Sequence, residues 1–396
     1  MRDNPTIAEV YHQNLIRHLR QQAVMQAPGV AEAFAAVPRH LFLPGVPLDR
    51  AYADEVVPLK YDAAGMVVAS SSQPTMMAIM LDQLRLQPGD NVLEIGTATG
   101  FNAGLMQHIV GHEGRVTTLE IDQELARQAL EHLRDAGMAE VKVVPGDGSQ
   151  GYAPRASYDH IIATAGVWDV PAAWLRQLKP QGSLVVPIWV DGVQVSAAFR
   201  MQPDGTYISD DNRPCAFVYL RGESAGPEMR RRIGSSSLFI LSDDVDKVDT
   251  VALQMLLSDD ASISYLETQL EPQDFWHGFQ LHLMLSEPHG AVFVVYAVND
   301  GQQAFGIGGR GVALLTPGSA AFASYFDRGA VHCFAGSDAF IAMQALLDEW
   351  LSQGRPRTQQ LRLQLVPRSR GRPQVTQGRA YERRDHYLVA WLDLSA

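Results

Sequence analysis

Apolar residues at helical spacing open the chain: Ile7, Val10, Tyr11, Leu15 and Leu19, interrupted at Pro28 and closed by Val37-Pro38. The spacing predicts an N-terminal helical cap over residues 6–36. A second amphipathic stretch, 75–84, follows Pro74 and ends before the turn Gln87-Pro88-Gly89. The pattern then alternates, with strands predicted at 91–95, 115–120, 140–144 and 158–163 between helices at 101–110, 122–136 and 171–178. Alternation of this kind places helices on both faces of a parallel sheet. Pro180-Gln181-Gly182 reads as a turn into an apolar strand, 183–188, and segments 193–199 and 216–220 read as strands that close the sheet antiparallel. Periodicity fails between 222 and 234, and the remainder reads as α+β, with strands at 291–298 and 387–394 and a helix at 337–351 capped by Ser337 or Asp338. Two domains follow: an α/β domain over 1–225 with its helical cap, and an accessory α+β domain over 226–396.

Composition changes this picture little. At 396 residues, 46% hydrophobic and 19% charged, the chain is ordinary globular material, long enough for two cores. A net charge of -12 argues against general affinity for phosphate backbones, so nucleic acid is not an expected partner. Cys215 and Cys333 lie far apart with no ligand spacing around them, so neither a disulfide framework nor a metal site is expected, and a reducing cytoplasm fits. The N-terminus lacks the apolar core of a signal peptide, and the longest apolar runs, 184–190 and 291–298, are too short to span a bilayer.

Candidate chemistry clusters at consecutive strand ends. The apolar strand 91–95 runs into Gly96-Thr97-Ala98-Thr99-Gly100, a glycine-bearing turn that lets backbone pass close to a bulky ligand. Glu120 ends the next strand, where a carboxylate can accept both hydroxyl protons of a ribose. Gly146-Asp147-Gly148 follows the third strand, where Asp147 can accept from an adenine amino group. Each signal alone has a bland reading: a tight turn, a helix start, an Asp-Gly turn. Together they match the rule that ligands of open α/β sheets bind beyond the carboxyl ends of the strands. The turn lacks the GxGxxG spacing of a dinucleotide site, so a sulfonium nucleoside fits better.

The motifs AVPRHLFLP (36–44), AYAD (51–54), SQP (72–74), VLEIGTATGFNAGLM (92–106), GDGSQG (146–151), YDHIIATAG (158–166) and QLKPQGSLVVPI (177–188) together resemble the protein-L-isoaspartate O-methyltransferases. The resemblance covers roughly the first 225 residues. It implies a Rossmann-like class I methyltransferase sheet with an antiparallel final strand and S-adenosyl-L-methionine as cofactor. Cofactor-binding positions would be Glu94, Gly96, Thr97, Gly100, Glu120, Asp147 and Gly148. The family's serine beside the reacting carboxylate corresponds to Ser72, with Ser71 and Gln73 beside it as further acceptor-binding candidates; as an alternative, a serine before proline is a good helix N-cap. The implied reaction is O-methylation of an Asp or isoAsp carboxylate in a peptide or protein, followed by succinimide formation, serving repair of isoaspartyl damage or maturation of a ribosomal peptide. A different acceptor, such as a small molecule, and a non-catalytic binding protein with a vestigial cofactor site are the competing readings.

Two departures from the family pattern stand out. The stretch Gly65-Met66-Val67-Val68-Ala69-Ser70-Ser71-Ser72 is longer and richer in serine than the family's usual segment, and the chain continues to residue 396. In that extension, GIGGRG (306–311) lacks the Lys-Ser/Thr of a phosphate loop and is expected to form a hairpin. Phe275-Trp276-His277-Gly278-Phe279 is expected in the core, with a substrate groove as the alternative. Between Arg355 and Arg384 lie nine arginines against a single acidic residue, Glu382. This window reads as a solvated, partly flexible loop, or as a docking surface for an acidic peptide.

Overall fold

The computed structural model describes residues 6–286 and 290–395, which divide into two compact units. One comprises Met1–Ile188 with Val195–Gly226; the other comprises Pro227–Ala396 with the short segment Trp189–Gln194.

The N-terminal unit begins with α1 (Ile7–Gln21), whose first turn is closed by a capping box in which Thr6 and Glu9 exchange side-chain and backbone hydrogen bonds. Its buried face is His12, Leu15, Ile16 and Leu19, whereas Ile7 is 70% exposed. The apolar spacing therefore misplaced the start of the buried stripe, because His12 enters the core by bonding its Nε2 to the Phe34 carbonyl at 2.6 Å. After Gly29, in the left-handed region at φ 80°, comes α2 (Val30–Ala36), so the predicted cap is two helices. A 3-10 turn (Arg39–Phe42), α3 (Leu48–Ala51) and the hairpin β1 (Val57–Tyr61) and β2 (Val67–Ser71) lead into α4 (Pro74–Leu84). The alternating region follows as β3 (Asn91–Ile95), α5 (Phe101–Val110), β4 (Arg115–Glu120), α6 (Gln123–Asp135), β5 (Lys142–Pro145), β6 (Tyr158–Ala163), α7 (Ala172–Gln177), β7 (Leu178–Val190), β8 (Val193–Met201) and β9 (Tyr207–Pro214).

These strands lie in the order β9-β8-β7-β6-β3-β4-β5. From β7 through β6, β3 and β4 to β5 the pairs are parallel, and β8 and β9 run antiparallel. Succession reverses beside β3, between β4 and β6, which is where an open sheet leaves a crevice. Two expectations need correction. Pro180-Gln181-Gly182 does not separate a helix from a strand; it is a register irregularity inside β7, between Tyr158↔Leu178 and His160↔Ser183. Segment 216–220 is not a sheet strand: it touches the loop after β6 only by an isolated bridge, Gly166↔Tyr219, and the ladder position beside β8 belongs to β9. The β9 sequence Tyr-Ile-Ser-Asp-Asp-Asn-Arg-Pro is too polar to announce itself by apolar alternation.

In the C-terminal unit β10 (Arg230–Arg232), β11 (Leu238–Leu241), α8 (Thr250–Leu256), β12 (Ser262–Tyr265), α9 (Pro272–Asp274), α10 (Gln280–Ser286), β13 (Val292–Val298), β14 (Gln303–Ala304), β15 (Ile307–Gly308), β16 (Arg310–Thr316), β17 (Ser319–Ser324) and β18 (Ala330–Ala335) precede α11 (Asp338–Ser352). Strands β19 (Leu361–Pro367), β20 (Arg379–Glu382) and β21 (His386–Leu392) complete it. An antiparallel sheet runs β10-β11-β13-β16-β17-β18-β12, with Ile240, Val294, Tyr296, Ala313 and Phe322 in its core. The glycines of 306–311 fall in the β14–β15 hairpin and the start of β16, as their lack of a phosphate-loop lysine suggested. Phe275–Phe279 forms a π-helical turn with Phe275 and Phe279 buried, which is the core placement, while Trp276 packs edge-on to Tyr325.

The arginine-rich window is not one loop: it supplies β19 and β20 and part of the unit's interior. Arg357 meets Asp274 at 2.5 Å, Arg368 meets Glu382 at 2.6 Å, and Arg379 spans Asp191 at 2.9 Å and Asp244 at 2.6 Å. Arg383, almost fully buried, holds both carboxylate oxygens of Asp243 at 2.6 and 2.7 Å. Removing one partner of such a pair strands a charge away from water, which costs about 3–5 kcal/mol. Arg383→Ala should therefore destabilise the C-terminal unit by about that amount in urea unfolding, whereas exposed Arg372→Ala should stay within ~0.5 kcal/mol of the parent. Equal effects of the two substitutions would contradict the buried-pair account.

Candidate functional site

The carboxyl ends of β3, β4 and β6 open onto a cleft lined by Ile95, Gly96, Leu119, Glu120, Ile162 and Thr164. Its floor is the turn after β3. Gly96 takes φ 102°, donates its N–H to the Leu119 carbonyl at 2.8 Å, and receives the Thr164 hydroxyl on its own carbonyl at 2.6 Å. A β-carbon on Gly96 would lie 2.6 Å from that same Thr164 oxygen. Gly100, at φ 85°, is similarly pressed against Leu133 and the Ala129 carbonyl of α6, and a β-carbon on Gly148 would meet Ile95 at 2.7 Å. The glycines are thus required by the protein's own packing as well as by close approach of a ligand.

Of the sequence candidates, Gly96, Thr97, Glu120, Gly148, Ser71 and Ser72 line this one cleft; Glu94, Gly100, Gln73 and Asp147 are not among its lining residues. Glu120 accepts from the backbone N–H groups of Ala98 at 2.9 Å and Asp122 at 3.0 Å, one on each carboxylate oxygen, which fixes the carboxylate and leaves each oxygen a further acceptor position. Glu94 has no solvent exposure. It accepts from Thr118 Oγ1 at 2.6 Å and Asn102 Nδ2 at 2.8 Å, and Thr118 in turn meets the Thr97 hydroxyl at 2.7 Å. Burial pushes its pKa up to about 7, against the lowering effect of those two bonds.

Asp147 accepts from the Ser149 N–H at 2.8 Å and hydroxyl at 2.5 Å, and from the Glu223 N–H at 2.7 Å. Burial would raise its pKa, but these bonds outweigh it and hold the carboxyl below its usual value. Gly222 makes the approach possible, since a β-carbon there would sit 2.2 Å from the Asp147 carboxylate.

The other wall is built by Ser70–Ser72 and by residues 217–221. Strand β2 is held by β1 in the register Val57↔Ser71 and Pro58↔Ser70, so the serine-rich departure is the second arm and base of a hairpin. Ser72 is not the helix cap that its place before Gln73-Pro74 allowed. The cap position of α4 is Gln73, and it is Asp54 that accepts from the Thr75 N–H at 2.8 Å, the Thr75 hydroxyl at 2.7 Å and Gln73 Nε2 at 3.1 Å. The Ser72 hydroxyl makes no hydrogen bond to any other described residue. Behind the serines lies Arg39, which the sequence reading passed over as part of a motif; its Nη2 donates to the Ser72 carbonyl at 3.0 Å and to Ser71 Oγ at 3.3 Å. Segment 217–221 was also missed as a cleft wall, because it reads as one more apolar strand.

These residues fit a nucleoside: a preorganised acceptor carboxylate at Glu120, no side chain in the way at Gly96, and apolar Ile95 and Leu119 in the lining. Among the described residues no cluster of three or more His, Cys, Asp or Glu side chains could hold a metal ion, and no helix is long and apolar enough to cross a membrane.

The Glu94 shift sets a pH dependence. A carboxyl whose folded pKa is raised contributes stability that is fully present below its unfolded value and is lost as pH rises through about 7. Glu94→Gln removes that loss, so the variant should gain on the parent by about 3 kcal/mol between pH 5 and pH 8 in ligand-free unfolding experiments. A difference independent of pH would mean that Glu94 is ionised throughout.

Residues 10–225 match the family described as protein-L-isoaspartate(D-aspartate) O-methyltransferase. A protein-L-isoaspartate O-methyltransferase of Ignicoccus hospitalis is 42% identical over 207 residues, 52% of this chain and 95% of the relative. One of Methanopyrus kandleri is 39% identical over 217 residues, 54% of this chain and 93% of the relative. A solved protein-L-isoaspartate O-methyltransferase shares the fold over 89% of this chain and 96% of its own, at 24% identity and a TM-score of 0.50, so the C-terminal extension also has a structural counterpart. The chain belongs to the protein-L-isoaspartate (D-aspartate) O-methyltransferase family, S-adenosylmethionine-dependent enzymes that methylate carboxyl groups of proteins and peptides.

Proposed function

We propose that the acceptor is the α-carboxylate of an isoaspartyl residue, or the side-chain carboxylate of an aspartyl residue, and that the resulting ester closes to a succinimide. The observation that carries this reading is the Ser72 hydroxyl, without a partner among the described residues, lining the same cleft as the Gly96 turn and Glu120. A carboxylate with a pKa of about 4 is already ionised at neutral pH, so the acceptor needs no general base. It needs orientation and removal of water. Ser72 donates to one carboxylate oxygen. Ser71, whose oxygen accepts from Arg39, keeps its own proton for a second bond. Glu120 holds the ribose hydroxyls, and Gly96, Thr97 and Gly148 form the surface beneath the nucleoside. S-adenosylmethionine held by Glu120 and the Gly96 turn would supply a sulfonium methyl group for transfer to the carboxylate oxygen that Ser72 and Ser71 orient.

The ester has a better leaving group than the free acid. The following backbone nitrogen attacks the ester carbonyl, loses its proton and expels methanol, closing the succinimide. Hydrolysis then gives Asp or isoAsp, which is repair when isoAsp was the substrate.

An isoaspartyl peptide and its aspartyl twin, each incubated with labelled cofactor, test this directly. Ester on the isoaspartyl peptide alone is expected; ester on the aspartyl peptide alone indicates maturation, and ester on neither removes the proposal. Ser72→Ala should lower kcat/KM for the peptide about 10–100-fold without changing affinity for S-adenosylhomocysteine, and Glu120→Ala should weaken that affinity by about the same factor in calorimetric titration.

A further inference from the structure

The acceptor wall rests on a buried cation. Arg39 is 1% exposed. Its guanidinium donates to the carbonyls of Ser72 at 3.0 Å, Glu55 at 3.4 Å and Ala53 at 3.4 Å, and to Ser71 Oγ at 3.3 Å. Its Nε is buried with no hydrogen-bond partner, and its Cζ lies 6.0 Å from the centroid of Phe101, a ring that lines the cleft. Among the described residues no carboxylate lies within ion-pair distance of it; Asp54, which accepts from Thr75 and Gln73, is the carboxylate that acts on it through space. Burial lowers its pKa to about 10, which leaves it cationic at neutral pH.

Neutral oxygens satisfy the donors of a guanidinium but do not cancel its charge. Tying Ser71 and Ser72 to neighbouring loops could be done by a neutral donor, without the penalty of withdrawing an ion from water. What the charge adds is a positive potential behind the serine wall, opposed in part by Asp54 and passed towards the cleft through the Ser71 hydroxyl that it polarises.

We propose that Arg39 is the residue that makes the acceptor side selective for an anion, favouring entry of a carboxylate and withdrawing that attraction once the carboxylate has become a neutral ester. The proposal rests on the acceptor reading above. Methyl transfer joins an anionic oxygen to a cationic donor, so the acceptor's charge fades towards the transition state. Arg39 therefore assists binding of the substrate rather than the chemical step, and its contribution belongs in KM, not kcat. It is a positioning residue for the serine wall and a selector of acceptor charge.

The test compares an isoaspartyl peptide with the same peptide bearing a carboxamide in place of the carboxylate, titrated into the S-adenosylhomocysteine complex of the full chain. The parent should prefer the carboxylate by about tenfold, an effect expected of one charge held several ångströms away behind a partly solvated wall. Arg39→Met should abolish the preference, weakening carboxylate binding far more than carboxamide binding, and should raise peptide KM by a larger factor than it lowers kcat. Arg39→Lys, which keeps the charge and loses the multiple bonds, should retain the preference even where its Tm falls. Equal affinity of the parent for both peptides overturns the proposal, as does an Arg39→Met protein that weakens both alike, the signature of a purely structural prop. Where Arg39→Met does not fold, the parent and Arg39→Lys measurements decide by the same criteria. Methyl transfer assays of the parent separate the two levels. If the parent methylates neither the aspartyl nor the isoaspartyl peptide, the acceptor reading falls and this proposal with it; if it methylates one and Arg39→Met keeps the charge preference, only the role of Arg39 falls.

Discussion

At the carboxyl end of β3 the chain turns through a space that admits no β-carbon. The Gly96 N–H is taken by β4 and its carbonyl by Thr164 after β6, so the turn is pinned to both neighbouring strands. Immediately beneath, the buried Glu94 carboxylate gathers Asn102 from α5 and Thr118 from β4, and Thr118 reaches back to Thr97 in the turn. Three parallel strands therefore end in register around one backbone path. The Ala98 N–H then falls against Glu120, and the cleft has a rigid floor. A flexible glycine loop would pay a conformational entropy penalty on binding; this one is already ordered by the sheet.

The opposite wall is assembled from remote segments. Asp54 anchors the start of α4, Arg39 ties down Ser71 and Ser72, and residues 217–221 return from beyond β9 to face them. The two walls thus differ in kind: the first is made by consecutive strand ends, the second by long-range contacts between the N-terminal cap and the end of the unit.

That difference explains what could be read in advance. The alternation of β3 to β6 with their helices, the Gly96 turn and Glu120 are local patterns, and each appears where its sequence signal lies. His12 in the core, Arg39 behind the serines and Asp54 as a remote cap carry no local signal, because each is defined by a partner distant in the chain. Polar β9 was hidden for another reason: its sequence lacks the apolar alternation by which strands are recognised. In the C-terminal unit the same limit applied to charge. The arginines between 355 and 384 looked like a solvated run, whereas Arg379 and Arg383 reach carboxylates at Asp191, Asp243 and Asp244 far away in sequence.

The hairpin of β1 and β2 bears on how such enzymes diversify. Its register is fixed at the base, where Val57 faces Ser71, while its tip at Asp62–Gly65 is exposed and closed locally by the Asp62 side chain bonding the N–H groups of Ala64 and Met66. Residues can be gained or lost at that tip without moving the serines or disturbing the strand ends opposite. The arm thus joins a base whose length is constrained to a tip whose length is free, so insertions and deletions can accumulate there at little cost to the cleft.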